Sequence, residues 1–148
     1  MSNINKFLNN KIKLGNINYS LIIGLTPSQG ARSPKLWNKV YKKIKSDCRM
    51  FPADVNFKNL KKLISYLRYD DNFIGGSVTA PYKTQIIKYL NSLDSNAKKI
   101  GSVNTIIKKK GKLIGYNTDY YGALSTIKRI ELKKNILVFG AGGASKAV

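Results

Sequence analysis

A chain of 148 residues, 43% of them hydrophobic, can bury one sizeable core but not two complete domains. No stretch approaches the ~18 apolar residues of a membrane span, and Met1 to Tyr19 lacks the apolar run of a secretion signal. One cysteine and no histidine exclude an internal disulfide and a zinc site, so a cytoplasmic protein without a metal or a membrane partner is expected.

The net charge of +20, from 27 basic and 7 acidic residues, would attract polyanions non-specifically. The lysines are spread over predicted helix flanks (Lys35, Lys39, Lys42, Lys43, Lys58, Lys61) and a turn (Lys108 to Lys110), not along one groove. Specific nucleic-acid binding is therefore not expected.

In chain order, residues 1–18 read as a polar, weakly ordered lead-in. Tyr19 to Leu25 reads as a buried strand that runs into the turn-rich loop Thr26-Pro27-Ser28-Gln29-Gly30. Ser33-Pro34 then opens a helix, with Ser33 at the N-cap and Leu36, Trp37, Val40, Tyr41 and Ile44 at helical spacing, the aromatic pair as core packing. Asp47 to Val55 holds a second strand, and Asn56 caps a helix carrying Leu60, Leu63, Ile64 and Leu67 on one face.

Phe73 to Thr79 predicts a third strand, Pro81 a helix through Ile86, Ile87 and Leu90, and Asp94 to Ile100 a short helical piece. Val103 to Ile107 and Lys112 to Tyr116 pair as a hairpin across Lys110-Gly111, before a helix over Asp119 to Ile130. Ile136 to Phe139 reads as an apolar strand feeding Gly140-Ala141-Gly142-Gly143-Ala144-Ser145. Glycines let backbone approach a pyrophosphate at the start of a helix, so these six residues are the predicted nucleotide-phosphate loop. The alternation gives an α/β fold: a three-layer domain with a mostly parallel mixed sheet over 19–132, followed over 133–148 by the first strand and glycine loop of a truncated Rossmann domain.

Three short segments carry the chemistry: Val78 to Lys83, Ser102 to Thr105, and Tyr116 to Asp119. Lys83 and Asp119 could form a pair that donates a proton to a carbonyl oxygen, a contribution worth ~10²–10⁴-fold. Read from the residues alone, a surface lysine and a simple N-cap aspartate fit equally well. Cys48 has no base in sight and reads as an apolar filler.

The motifs are more specific. The chain resembles the shikimate dehydrogenase family from Tyr19 to Val148. The family's N-V-T-x-P-x-K block reads Ser77-Val78-Thr79-Ala80-Pro81-Tyr82-Lys83, its A-V-N-T block Ser102 to Thr105, its G-x-N-T-D-x-x-G block Gly115 to Gly122, and its G-A-G-G-A loop Gly140 to Ala144. The resemblance implies NADP-dependent reduction of 3-dehydroshikimate to shikimate in aromatic amino-acid biosynthesis, NAD not being excluded, by a monomer or homodimer. It assigns catalysis to Lys83 and Asp119 and the substrate hydroxyls to Thr79 and Asn104, and Thr118 has the right chemistry to join them.

One departure bears on substrate choice. The family's S-x-S-P-x-x-H-N stretch, whose two serines hold the substrate carboxylate, reads Ala31-Arg32-Ser33-Pro34-Lys35-Leu36-Trp37-Asn38. Ser33 is kept and the first serine is Ala31, a loss of about 1.5–3 kcal/mol for a hydrogen bond to a charged group. The expectation is that Arg32 or Ser28 compensates, Arg32 through a bidentate guanidinium. A paralogue acting on quinate or another cyclic polyol acid, and a non-catalytic ligand-binding module, are the alternatives.

Overall fold

The structure, a computed structural model, describes residues 4–127 and 137–148. A six-stranded sheet has the order β2-β1-β3-β5-β6-β4, formed by β1 (Tyr19–Gly24), β2 (Arg49–Asp54), β3 (Phe73–Val78), β4 (Ser92–Leu93), β5 (Thr105–Lys109) and β6 (Lys112–Tyr116). β1 pairs in parallel with both β2 and β3, and β4 pairs in parallel with β6. The β3–β5 and β5–β6 pairs are antiparallel. Lys110 and Gly111 turn the β5–β6 hairpin with φ of 49° and 71°, the paired left-handed conformations of a two-residue type I′ turn.

β1 is buried along its whole length because both of its faces are covered. Leu21 and Ile23 point into the main core with Leu60, Leu63, Ile64 and Leu67 of α2 (Phe57–Tyr69). Each of those four side chains contributes roughly 1.5–3 kcal/mol by leaving water. Ser20 and Ile22 alternate to the opposite face, where α1 (Ser33–Lys43) lies. The smaller helices are α3 (Ser95–Ile100), capped by Asp94 on the amides of Asn96 and Ala97, and α4 (Asp119–Ile127).

Five expectations are corrected. Residues 4–14 are not a loose lead-in: Ile4 and Ile12 are buried in the core, Asn5 exchanges hydrogen bonds with the Ile12 backbone, and Asn10 accepts from Asp54 N–H and donates to the Pro52 carbonyl. The polar composition hid two apolar anchors. Pro81 starts turns and a 3-10 helix (Gln85–Tyr89) rather than an α-helix. The Lys83 carbonyl accepts from Val103 N–H at 2.7 Å, a non-local bond that takes the place of a helical one.

The apolar positions of α1 do not form a core: Leu36, Trp37, Val40 and Ile44 are exposed, and α1 buries no residue fully. Its N-cap position is Arg32, one residue before the predicted Ser33, with Pro34 in the first turn. Leu137 to Phe139 are exposed and form no strand, since no neighbouring strand pairs with them among the described residues. The rest of that predicted strand, and the end of the helix predicted to Ile130, lie outside the described residues.

Candidate active site

Three chain segments meet at the ends of the interior strands β3, β5 and β6, and backbone bonds fix their meeting. Thr79 N–H donates to the Ile23 carbonyl at the end of β1 (2.9 Å), and Val78 N–H to the Asn104 carbonyl (2.7 Å). Asn104 N–H in turn donates to the Tyr116 carbonyl (3.0 Å). Ser77 is the cross-strand partner of Thr105, and Thr105 of Tyr116, so the three motif segments follow directly from sheet register. Below them, Tyr82 is buried and its hydroxyl donates to the Val55 carbonyl, holding the turn that presents Lys83. Burial pushes the Tyr82 phenol up.

Lys83 Nζ lies 2.6 Å from Asp119 Oδ2, with both side chains partly open to solvent. Asp119 occupies the first turn of α4, where a carboxylate is favoured by the helix dipole. Its second oxygen accepts from Asn104 Nδ2 at 2.8 Å. The same amide donates to Thr118 Oγ1 (2.8 Å), and Asn104 Oδ1 accepts from Thr118 N–H and Thr105 Oγ1, each at 2.9 Å. Asn117, almost fully buried, donates to the Ser102 carbonyl (3.0 Å) and accepts from Tyr120 N–H (3.3 Å), so the turn into α4 is fastened from below. Asn104 is thus a junction that orients the aspartate and two threonine hydroxyls.

These groups face a cavity of about 270 Å³ lined by Ile22, Ser33, Trp37, Ser77, Val78, Thr79, Lys83, Asn104, Thr105, Thr118 and Asp119. That volume suits a small, hydroxyl-rich molecule; drug-sized pockets begin at roughly 300 Å³. Lys83, Asp119, Ser33, Thr79, Asn104 and Thr118 are all brought together here. Ser28 and Arg32 are not. The Ser28 hydroxyl and amide both donate to the Asp54 carboxylate, so its hydroxyl is already committed to the end of β2. Arg32 is exposed and does not line the cavity. Compensation for Ala31 by either residue has no geometric support.

Ser77, Thr105 and Trp37 line the cavity without having been singled out as ligand contacts. Strand alternation could have found Ser77, two residues from Thr79, and helical spacing could have found Trp37, four residues from Ser33.

The glycine loop borders the same lysine from the other side. Gly140 to Ala144 run through the exposed C-terminal segment, and the Gly143 carbonyl accepts from Ser102 Oγ at 2.7 Å. A Cβ on Gly143 would stand 2.6 Å from Lys83 Cβ and 2.9 Å from Ser102 Oγ, so only glycine allows this approach. Ala141 to Ala144, with Lys83, Thr79, Thr84 and Lys146, border a cavity of about 630 Å³. Backbone without bulky side chains and an added cation suit a pyrophosphate, so the residues present fit a dinucleotide entering beside Lys83. A 3-10 helix (Ser145–Ala147) begins at the last residue of the loop.

Among the described residues, no helix is long and apolar enough to cross a membrane and no cluster could hold a metal ion. Residues 22–106 match the family model for the shikimate dehydrogenase substrate binding domain. The chain is 44% identical over 133 residues to the shikimate dehydrogenase (NADP(+)) of Methanosphaera stadtmanae, covering 87% of this chain and 47% of that protein. With the enzyme of the same name from Methanococcus maripaludis it shares 40% over 132 residues, again 47% of the relative.

Among solved structures, shikimate 5-dehydrogenase of Thermus thermophilus in complex with NADP(H) and shikimate superposes with a TM-score of 0.78 at 29% identity, over 89% of this chain and 50% of that one. The chain therefore spans about half the length of the relatives it matches. It belongs to the shikimate dehydrogenase family, through that family's substrate-binding domain.

Proposed function

We propose that this chain binds the substrate of an NADP-dependent dehydrogenase that reversibly reduces 3-dehydroshikimate to shikimate, on the route to chorismate and the aromatic amino acids. Residues 19–132, with the N-terminal anchors, form the substrate-binding unit, and 133–148 begin the nucleotide-binding unit. The observation that carries this reading is the 2.6 Å Lys83–Asp119 contact at a cavity walled by amide and hydroxyl groups.

A ring ketone placed over Lys83 presents its oxygen to the ammonium. When bound at Gly140 to Ser145, the nicotinamide cofactor supplies hydride to the carbonyl carbon. Lys83 gives one N–H proton to the carbonyl oxygen, leaving a neutral amine that Asp119 orients until solvent restores the proton. In the oxidative direction the neutral amine of Lys83 takes the hydroxyl proton. Thr79, Thr118 and Asn104 hold ring hydroxyls, Asn104 by exchanging one of its internal bonds, and Ser33 holds the carboxylate from the start of α1. A site matched to several hydroxyls rejects analogues without them, because its own donors and acceptors would be left unpaired.

The test is oxidation of NADPH dependent on 3-dehydroshikimate, by the protein of the complete reading frame, alongside quinate and NAD as competing substrates in the reverse direction. Turnover with 3-dehydroshikimate supports the reading. Turnover with quinate alone, or none in any combination, overturns it. The 148-residue chain by itself is expected to bind shikimate without oxidising NADPH.

A further inference from the structure

The Lys83 cavity has a neighbour. A second cavity, of about 230 Å³, lies between α1 and the sheet, and its lining is mainly apolar: Tyr41, Met50, Ile74, Ile106 and Ile107. Trp37, Ser77 and Thr105 border both cavities. Ser77 and Thr105 are small and face each other across the β3–β5 pair, so the indole is the only bulky group in the shared wall.

The position of the indole is determined. Ser33, Trp37 and Tyr41 follow at four-residue intervals and form one stripe along α1 facing the sheet. The Tyr41 hydroxyl is 3.1 Å from Ser20 Oγ on β1, and the Tyr41 ring lies 5.8 Å from the indole at an interplanar angle of 32°. Tyr41 is thus tied to the sheet and backs Trp37. The indole itself stays 46% exposed, so its position in the wall is not explained by core packing.

Building on the reading of the Lys83 cavity as a site for a cyclic polyol acid, we propose that Trp37 is the residue that sets the size limit of the substrate. Its indole confines the acid to the polar cavity and offers an apolar surface to the ring. Without the indole the two cavities join, and the site takes a cyclic hydroxy acid carrying an aromatic substituent. The polar groups at Lys83, Asp119 and Asn104 then hold the acid as before, while the substituent lies against Tyr41, Ile74 and Ile107.

The experiment measures binding to the protein by calorimetry, using shikimate and its mono-O-benzyl ethers, with wild type, Trp37→Phe and Trp37→Ala. Wild type is expected to bind shikimate and to discriminate against every benzyl ether. Trp37→Ala should weaken shikimate by about tenfold and tighten at least one benzyl ether by a similar factor, with Trp37→Phe close to wild type. An unchanged ratio between the ligands in a folded Trp37→Ala protein overturns the proposal.

A second measurement needs no variant, because Trp37 is the sole tryptophan of this chain. Shikimate should shift its emission to the blue and shield it from acrylamide. Calorimetric binding with unaltered emission and quenching overturns the role of Trp37 while leaving the proposed function standing. No binding of shikimate to wild type overturns both.

Discussion

The two walls of the candidate site are built on different principles. On the Lys83 side five polar side chains are bonded to one another before any ligand arrives: Lys83 to Asp119, Asp119 to Asn104, and Asn104 to Thr118 and Thr105. On the α1 side, the Ser33 hydroxyl has no hydrogen bond among the described residues, and Trp37 is half exposed. The first wall is preorganised, which favours chemistry, because groups already held in place cost no reorganisation when charge moves. The second offers unspent capacity, which favours binding and choice of ligand.

This contrast can be broken by substitution, and the largest effects belong on the first wall. In the protein of the complete reading frame, Asp119→Ala should lower kcat by ~10²–10⁴-fold with a much smaller change in KM for 3-dehydroshikimate; steady-state kinetics check this, and a change confined to KM would place Asp119 with the binding groups. Asn104→Ala should reduce kcat/KM by about 10–100-fold, because the bond orienting a charged carboxylate is lost. Restoration of activity by Asn104→Asp would speak against that account, since a second carboxylate cannot donate to Asp119.

On the second wall, Ser33→Ala should raise KM by about 10–100-fold at little cost in kcat. Arg32→Ala, outside the cavity, should shift KM by no more than about twofold. Ser28→Ala separates binding from stability: KM should hold, while denaturant unfolding shows a loss of about 1.5–3 kcal/mol from the missing hydroxyl bond to the Asp54 carboxylate, the amide bond being kept. A large KM effect from Arg32 or Ser28 would return them to the site.

Beneath the Lys83 wall the expected effect falls on stability and not on activity. Tyr82→Phe leaves the Val55 carbonyl unpaired in the core and should cost about 1–3 kcal/mol of stability. Because burial raises the Tyr82 pKa in the folded state, folding favours the protonated phenol. Its stabilisation is complete below the unfolded tyrosine pKa of ~10 and falls as the pH rises beyond it. In Tyr82→Phe that part of the alkaline decline should be reduced.

How legible each wall was in the sequence follows from how local its determinants are. Lys83, Asn104 and Asp119 lie in ordered short motifs beside strand ends; strand register brings their segments together, and the turn held by Tyr82 and Val103 presents Lys83. The turn after Pro81 was misread as a helix because Ile86, Ile87 and Leu90 have helical spacing, whereas the competing Val103 to Lys83 bond comes from twenty residues away. Nothing local to Ser28 signals its tie to Asp54, which lies at the end of β2. Buried Ile4 and Ile12 could not be distinguished from their polar surroundings by composition. Trp37 was read as core because helical periodicity reports a shared face, not what that face covers.

If Lys83 and Asp119 act as one proton-handling unit, a double-mutant cycle reads it. Lys83→Ala, Asp119→Ala and the double variant should then lower kcat for 3-dehydroshikimate reduction by nearly the same factor. Losses that multiply in the double variant would show that the ammonium and the carboxylate work independently, and would contradict it.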